Sequence, residues 1–408
     1  MRVVITGMGL VSCLGTGLLE VSSSLKAGRS GIVSCPEREK MGFRSPLTGK
    51  IDSFDPRKYA SRKEIKSMGQ PAQYAVAAAL EAVAESGLGR EDWGTPRCGL
   101  VVGNDSTAQP AVEAVDSVRA NGCTRLIGSG KILQVMNSTV SMNLGTFFGV
   151  QGANWTIGAA CASGAHAIGQ GVLLIKAGFA DRVLCGGAQE INWQAMSSFD
   201  ALGAFAKSDG APEDACRPFS VDRAGLVPSG GAAMLVLESL DSARARGAPI
   251  WAEVSGYGFS SDGGHLTNPG GEGAVRAMSQ CLEQGKGRVS RVDYINAHAT
   301  GTPVGDRVEG KAILSVFGGE SPPVSSTKSM TGHECWMAGA SEIIYSALMM
   351  RDGFIAPSRN VLEVDPELAK LEVVRETRAA KIGAVLSNSF GFGGTNASLL
   401  ISKYKGMR

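Results

Sequence analysis

Charge is scarce in this chain: Asp, Glu, Lys and Arg make up 19% of 408 residues and nearly cancel, leaving +2 at pH 7. So small an excess argues against bulk nucleic-acid binding. Histidine is rarer still, with only His166, His265, His298 and His333. The nine cysteines contain no C-x-x-C pair, which excludes a zinc knuckle, and their odd number does not suit a disulfide framework. A reducing compartment is expected. No stretch reaches ~18 uninterrupted apolar residues, so no membrane span is expected. The N-terminus is apolar but broken by Gly7 and Gly9, without a signal-peptide cleavage pattern. The location expected is cytoplasmic. No low-complexity linker or short repeat divides the chain.

Glycine, by contrast, is abundant: 55 of 408 residues, against a usual ~7%. The excess falls in turns and inside predicted helices, where backbones must approach each other or a ligand closely. Apolar residues at 43% suit a globular enzyme with a large interior. Strands are predicted over 2–6, 99–103, 155–158, 182–186, 232–238, 250–259, 294–298, 323–327, 384–389 and 397–402. Helices are predicted over 70–86, 161–177, 273–284, 306–317 and 338–351. This alternation is an α/β pattern. A break near residue 250 gives two halves, 1–250 and 251–408, each beginning with a strand. Periodicity leaves open whether they are duplicates.

Cys161 lies in W-T-I-G-A-A-C-A-S-G-A-H, at a predicted turn from strand to helix. Exposed N–H groups and the helix dipole there favour thiolate over thiol. Small neighbours admit a substrate, as at a nucleophile elbow. An inert buried cysteine is the competing reading of this segment. Two further segments carry polar groups at strand ends, where ligands of open α/β sheets collect. N-A-H-A-T-G-T-P-V-G-D holds His298, and S-S-T-K-S-M-T-G-H holds Lys328 and His333. A thiol with two imidazoles and an ammonium suits nucleophilic catalysis with charge-stabilising donors. Lastly S-N-S-F-G-F-G-G-T-N, residues 387–396, runs from a strand into a glycine-rich turn. It lacks the G-K-[ST] ending of a phosphate loop, so its backbone N–H groups better suit an oxyanion.

Together these motifs resemble those of the β-ketoacyl-[acyl-carrier-protein] synthases, the condensing enzymes of type II fatty-acid and polyketide synthesis, in their synthase I/II branch. The resemblance runs from V-I-T-G-M-G to G-F-G-G-T-N-A, nearly the whole chain. It implies a thiolase-like α/β fold, two similar halves in a five-layered α/β/α/β/α arrangement. It also implies that Cys161 carries an acyl chain as a thioester. His298 and His333 then stabilise the enolate formed when a malonyl thioester loses carbon dioxide, and the carbanion attacks the acyl group. Lys328, partnered by Glu309, orients the histidines. The backbone of Cys161 and Phe392, flanked by Gly391 and Gly393, forms an oxyanion hole, with Phe392 as a gate. Thr300 and Thr302 bind the phosphopantetheine arm, and Thr107, Phe199 and, across the dimer interface, Val135 and Met136 line the acyl pocket, although Val135 and Met136 also read as core. No metal or intrinsic cofactor is implied; substrates ride on acyl-carrier protein. The assembly implied is a homodimer, or a heterodimer with a chain-length-factor subunit as in type II polyketide or polyene pathways. A non-catalytic partner subunit is the remaining alternative, and the retained Cys161 weighs against it.

Departures from the family pattern stand at Ser220 and Ala224, where carboxylates are usual, and at Glu334, Cys335, Trp336 and Met337, which replace small residues after His333. The first pair puts local ion pairing in question. The second run adds bulk beside a catalytic histidine, as a sub-branch with other substrates would. A basic cluster at Arg62, Lys63 and Lys66 is expected to dock the acidic carrier protein, although an ordinary solvated face reads the same way. If it docks, the Michaelis constant for carrier protein depends on salt and rises in Lys63→Glu; steady-state kinetics showing no change would remove the docking role.

Overall fold

In the computed structural model, which describes residues 1–207, 210–404 and 406, the apolar runs pair into one mixed sheet. The first five strands are β1 (Val3–Ser12), β2 (Cys98–Gly103), β3 (Asn154–Ile157), β4 (Arg182–Gln189) and β5 (Gly231–Ser239). The next five are β6 (Ala252–Ser261), β7 (Tyr294–Asn296), β8 (Val324–Ser325), β9 (Ala384–Gly391) and β10 (Thr395–Ser402). Their spatial order is β8-β7-β9-β10-β6-β1-β5-β4-β2-β3, with the short strand Gly15–Thr16 paired to β1. Each set of five is thus ordered third, second, fourth, fifth, first. In each, the fourth strand of this order pairs antiparallel with both its neighbours, and the other four run in one direction. The sets join at two residue pairs, Val4 with Glu253 and Ile5 with Ala252.

Helices cover both faces. Those that fix the layers are α1 (Gln70–Glu85), α2 (Ser163–Lys176), α3 (Glu272–Gly285), α4 (Pro303–Val316) and α5 (Ala338–Asp352). Strand residues alternate between cores. Ala233, Leu235 and Leu237 of β5 face a middle core with Ile168 of α2 and Ile344 of α5. Ala232, Met234 and Val236 face an outer core with α1. On the far side, Leu400 of β10 joins Met278 of α3 and Ile313 of α4 in a third core, while Leu399 and Ile401 turn inward. Helix, sheet, central helices, sheet and helix make five layers, the thiolase-like arrangement. Strands covered on both faces need no polar side, which explains their continuous apolar runs.

Several boundaries differ from the sequence expectation. Strand β7 stops at Asn296, two residues before His298, and β8 has only two residues. The chain leaves the sheet early because Glu309 captures the N–H groups of His298 and Ala299, at 2.9 and 2.7 Å. Cys161 sits not in the α-helix but in a 3-10 turn, Ala160–Ala162, just before α2. Among the described residues, four α-helices of nine or more residues form without a sequence prediction: Leu18–Lys26, Gln109–Asn121, Thr139–Phe148 and Trp193–Leu202. Three of them end on a left-handed glycine, Gly122, Gly149 or Gly203. The second expected half runs to residue 408, but residues 405, 407 and 408 lie outside the described ones.

Two strand glycines do the same task in the two halves. A Cβ on Gly9 of β1 would lie 2.0 Å from the Ala78 carbonyl oxygen of α1. One on Gly258 of β6 would lie 1.9 Å from that of Ala277 in α3. Both outer helices therefore rest directly on strand backbone. Gly258→Ala must push α3 outward, an overpacking that costs about 1–3 kcal/mol. A lower thermal midpoint with an unaltered far-ultraviolet dichroism spectrum is expected; an unchanged midpoint would show that the helix shifts freely.

Candidate active site

The turn bearing Cys161 is held from several sides. After β3 the chain bends, and Ala160 adopts φ +46°, a left-handed conformation rare for a residue with a Cβ. Such a residue costs about 1–3 kcal/mol and needs surrounding bonds to hold it. They are present. Asp105 accepts from the Ala160 N–H at 3.1 Å, and the Thr395 hydroxyl donates to the Ala159 carbonyl at 3.0 Å. Ser163 accepts from the Ala159 N–H at 2.9 Å and donates to the Ala160 carbonyl at 2.6 Å. The Cys161 sulfur is buried, 2.9 Å from His333 Nε2.

His333 reaches this position because its N–H donates to the Val227 carbonyl at 2.6 Å and its carbonyl accepts from Ser229 at 2.9 Å. His298, half-buried, presents its ring edge-on to that of His333, with centroids 5.3 Å apart. The ligand atoms of Cys161, His298 and His333 all lie within 4.8 Å of one another. One small carbonyl group could touch all three; the same span would suit a soft cation.

Electrostatics correct one expectation. Burial pushes the Cys161 thiol up to about 12, opposed by the Lys328 charge and by the N–H groups of Cys161 and Phe392. The helix start does not outweigh desolvation, so the resting sulfur keeps its proton. Burial likewise holds both imidazoles well below the usual histidine range, and the Lys328 charge adds to this. At neutral pH the trio is uncharged.

Lys328 brings a second correction. Its ammonium pairs with Glu342 of α5, both side chains 1% exposed, and not with Glu309. Both oxygens of Glu309 already accept backbone N–H groups, and Asn388 adds a third donor at 3.1 Å. Glu309 therefore braces the His298 loop. Glu342 escaped the sequence reading; its only trace is an acid inside the apolar run S-E-I-I-Y. Asp105 was missed too, and nothing in its local pattern marks it.

A cavity of about 380 Å³ opens above the trio, lined also by Thr300, Thr302, Phe199, Gly391 and Phe392. The Thr300 and Thr302 hydroxyls are 3.1 Å apart. Gly393 is not a free donor: its N–H is given to the Leu266 carbonyl at 2.7 Å. Thr107, Val135 and Met136 do not line the cavity. Thr107 is buried beside Asn104, and Met136 is 43% exposed on the surface. Arg62, Lys63 and Lys66 are exposed, beside a short helix closed by a Ser61–Glu64 capping box. Ion pairing around Ser220 and Ala224 survives: Arg217 pairs with Asp222, and Arg223 with Asp365 at 2.8 Å. Glu334 is buried and accepts from Ser341 and Tyr345.

Residues 1–243 match the model of the β-ketoacyl synthase N-terminal domain, and residues 251–362 that of its C-terminal domain. The chain belongs to the β-ketoacyl synthase family. It is 44% identical over 408 residues to the 3-oxoacyl-[acyl-carrier-protein] synthase 1 of Haemophilus influenzae, covering 99% of this chain and 100% of that one. A β-ketoacyl synthase structure from Burkholderia phymatum superposes with a TM-score of 0.93 at 37% identity, over 99% and 100% of the two chains. The ishigamide ketosynthase/chain length factor gives 0.92 at 34% identity, over 99% of each chain. Membership in this family makes the protein an acyl-transferring condensing enzyme. No helix among the described residues is long and apolar enough to cross a membrane.

The Lys328 charge lowers both imidazoles, so its removal should raise both pKa values. Removing Lys328 alone would strand Glu342 in the interior, a change worth about 3–5 kcal/mol. The double substitution Lys328→Met with Glu342→Gln avoids this. Histidine NMR titration of that variant should show both rings moving up; static rings would mean the ammonium does not reach them.

Proposed function

We propose that this chain is a β-ketoacyl-[acyl-carrier-protein] synthase of fatty-acid biosynthesis, extending an acyl chain on Cys161 by two carbons from malonyl-carrier protein. The observation that carries this is the 2.9 Å contact of Cys161 Sγ with His333 Nε2, with His298 facing both and the Phe392 N–H aimed at the sulfur. The two proposed halves are 1–250, which supplies the nucleophile, and 251–408, which supplies the histidines.

Because the resting thiol is protonated, acyl transfer must join C–S bond formation to proton transfer. Sulfur attacks the acyl thioester while His333 Nε2 takes the proton. The tetrahedral oxyanion is held by the N–H groups of Cys161 and Phe392, preorganised donors that need no reorganisation. The proton then leaves with the carrier protein's thiol. Malonyl-carrier protein follows, its arm held by Thr300 and Thr302. The carboxylate's C–C bond breaks, carbon dioxide departs, and the electron pair becomes an enolate whose oxygen accepts from His298 and from His333, which has taken a proton from solvent on Nε2. The enolate carbon attacks the acyl carbonyl, the C–S bond breaks, and the Cys161 thiolate takes the proton that His333 drew from solvent, the one proton the overall reaction consumes. Lys328 and Glu309 are positioning residues, the first through its charge and the second through the His298 backbone.

Carrier protein is the proposed partner, met at Arg62, Lys63 and Lys66. A second copy of the chain is proposed against edge strand β3, whose Trp155 is 46% exposed; Leu133 and Met136 are also exposed apolar residues. The fatty-acid assignment follows the higher identity of the synthase 1 relative, 44% against 34% for the ishigamide ketosynthase.

Intact-mass measurement after incubation with acyl-carrier protein tests the scheme. The protein should gain one acyl mass, which Cys161→Ala loses, with condensation falling on the order of a thousandfold or more. His298→Ala should still gain the acyl mass but fail to decarboxylate malonyl-carrier protein. A wild-type protein that never gains the acyl mass would overturn the assignment.

A further inference from the structure

Trp336 occupies a particular place relative to the cavity. Its side chain is buried, in one apolar cluster with Cys161, Cys335, Ala160 and Phe199. Its ring lies 6.2 Å from that of Phe199, and Nε1 donates to the Ser106 hydroxyl at 3.2 Å. Phe199 and Cys335 line the cavity over Cys161, whereas Ser106 and Thr107 do not. The indole therefore fills the space between the cavity's inner wall and Ser106. We propose that Trp336, packed behind Phe199 and Cys335 and not itself lining the cavity, stops the acyl cavity from extending toward Ser106, so that the enzyme favours short acyl chains on Cys161 over long ones.

The backbone leaves Trp336 little room to retreat. A Cβ on Gly187 would lie 2.7 Å from its carbonyl oxygen, and one on Gly164 3.0 Å from it. The preceding Cys335 is held at φ +45°. On the cavity side Phe199 is backed by Phe205 and Phe392, with ring centroids 6.4 and 6.3 Å away. A growing chain thus meets an aromatic wall whose last member is anchored by a hydrogen bond. Apolar pockets discriminate by about 10–200-fold per methylene gained or lost, so an indole-sized plug is ample to set a length limit.

This inference rests on the ketosynthase reading, and the experiment separates the two. Acylation of Cys161 by butyryl- and dodecanoyl-carrier protein is followed by intact mass, for wild type, Trp336→Ala and Ser106→Ala. Wild type should take butyryl at least tenfold faster than dodecanoyl. Trp336→Ala should raise the dodecanoyl-to-butyryl ratio tenfold or more, and Ser106→Ala, which frees the indole without removing it, should raise it less. If wild type accepts neither chain, the ketosynthase reading fails. If wild type accepts both equally, or if neither variant moves the ratio, the plug is overturned. Should Trp336→Ala not fold, the Ser106→Ala ratio decides alone.

Discussion

Everything at the active centre depends on how closely α2 and α5 approach. Cys161 sits in the turn leading into the first helix and His333 in the segment leading into the second, so the 2.9 Å contact exists only if the two helices nearly touch. Glycine permits it. A Cβ on Gly164 would lie 3.1 Å from the Ala340 nitrogen, and one on Gly339 2.8 Å from the Ala165 nitrogen. Glycine inside a helix costs about 1 kcal/mol relative to alanine, and here that cost brings two catalytic segments from different halves into contact. The buried Lys328–Glu342 pair ties the short turn before His333 to α5.

The two halves also share a local shape. Each central helix is preceded by a 3-10 turn, Ala160–Ala162 in one and Cys335–Met337 in the other. Each turn begins on a residue with positive φ, +46° at Ala160 and +45° at Cys335. Cys161 and Trp336 therefore hold corresponding positions, a reactive thiol in one half and an inert ring in the other. One strained turn is used for chemistry, its counterpart for filling space.

Much of this was legible in the sequence, because the strands are buried on both faces and read as apolar runs. The Cys161, His298 and His333 motifs were legible for a different reason: their small and polar neighbours have no place in a core unless a substrate comes there. What escaped was set by tertiary contact. The sequence reading paired Lys328 with Glu309, yet both oxygens of Glu309 are taken by backbone N–H groups that become neighbours only once β7 ends early. Thiolate character was inferred from a helix start, while desolvation by the surrounding layers outweighs it. Val135 and Met136 were expected at the pocket from across a dimer interface, and within one chain they do not line the cavity over Cys161.

A protonated resting sulfur has a consequence for the protein's chemical durability. Thiolates are what oxidants and stray electrophiles attack, and a long-lived enzyme with an always-ionised cysteine would accumulate damaged copies. In the proposed mechanism, ionisation waits for a carbonyl carbon to arrive and for a neighbouring ring to take the proton. Reactivity is thus conferred by the correct guest and withheld from bystanders. Selectivity of this kind needs no lid; it follows from placing an ordinary thiol where desolvation outweighs the nearby Lys328 charge.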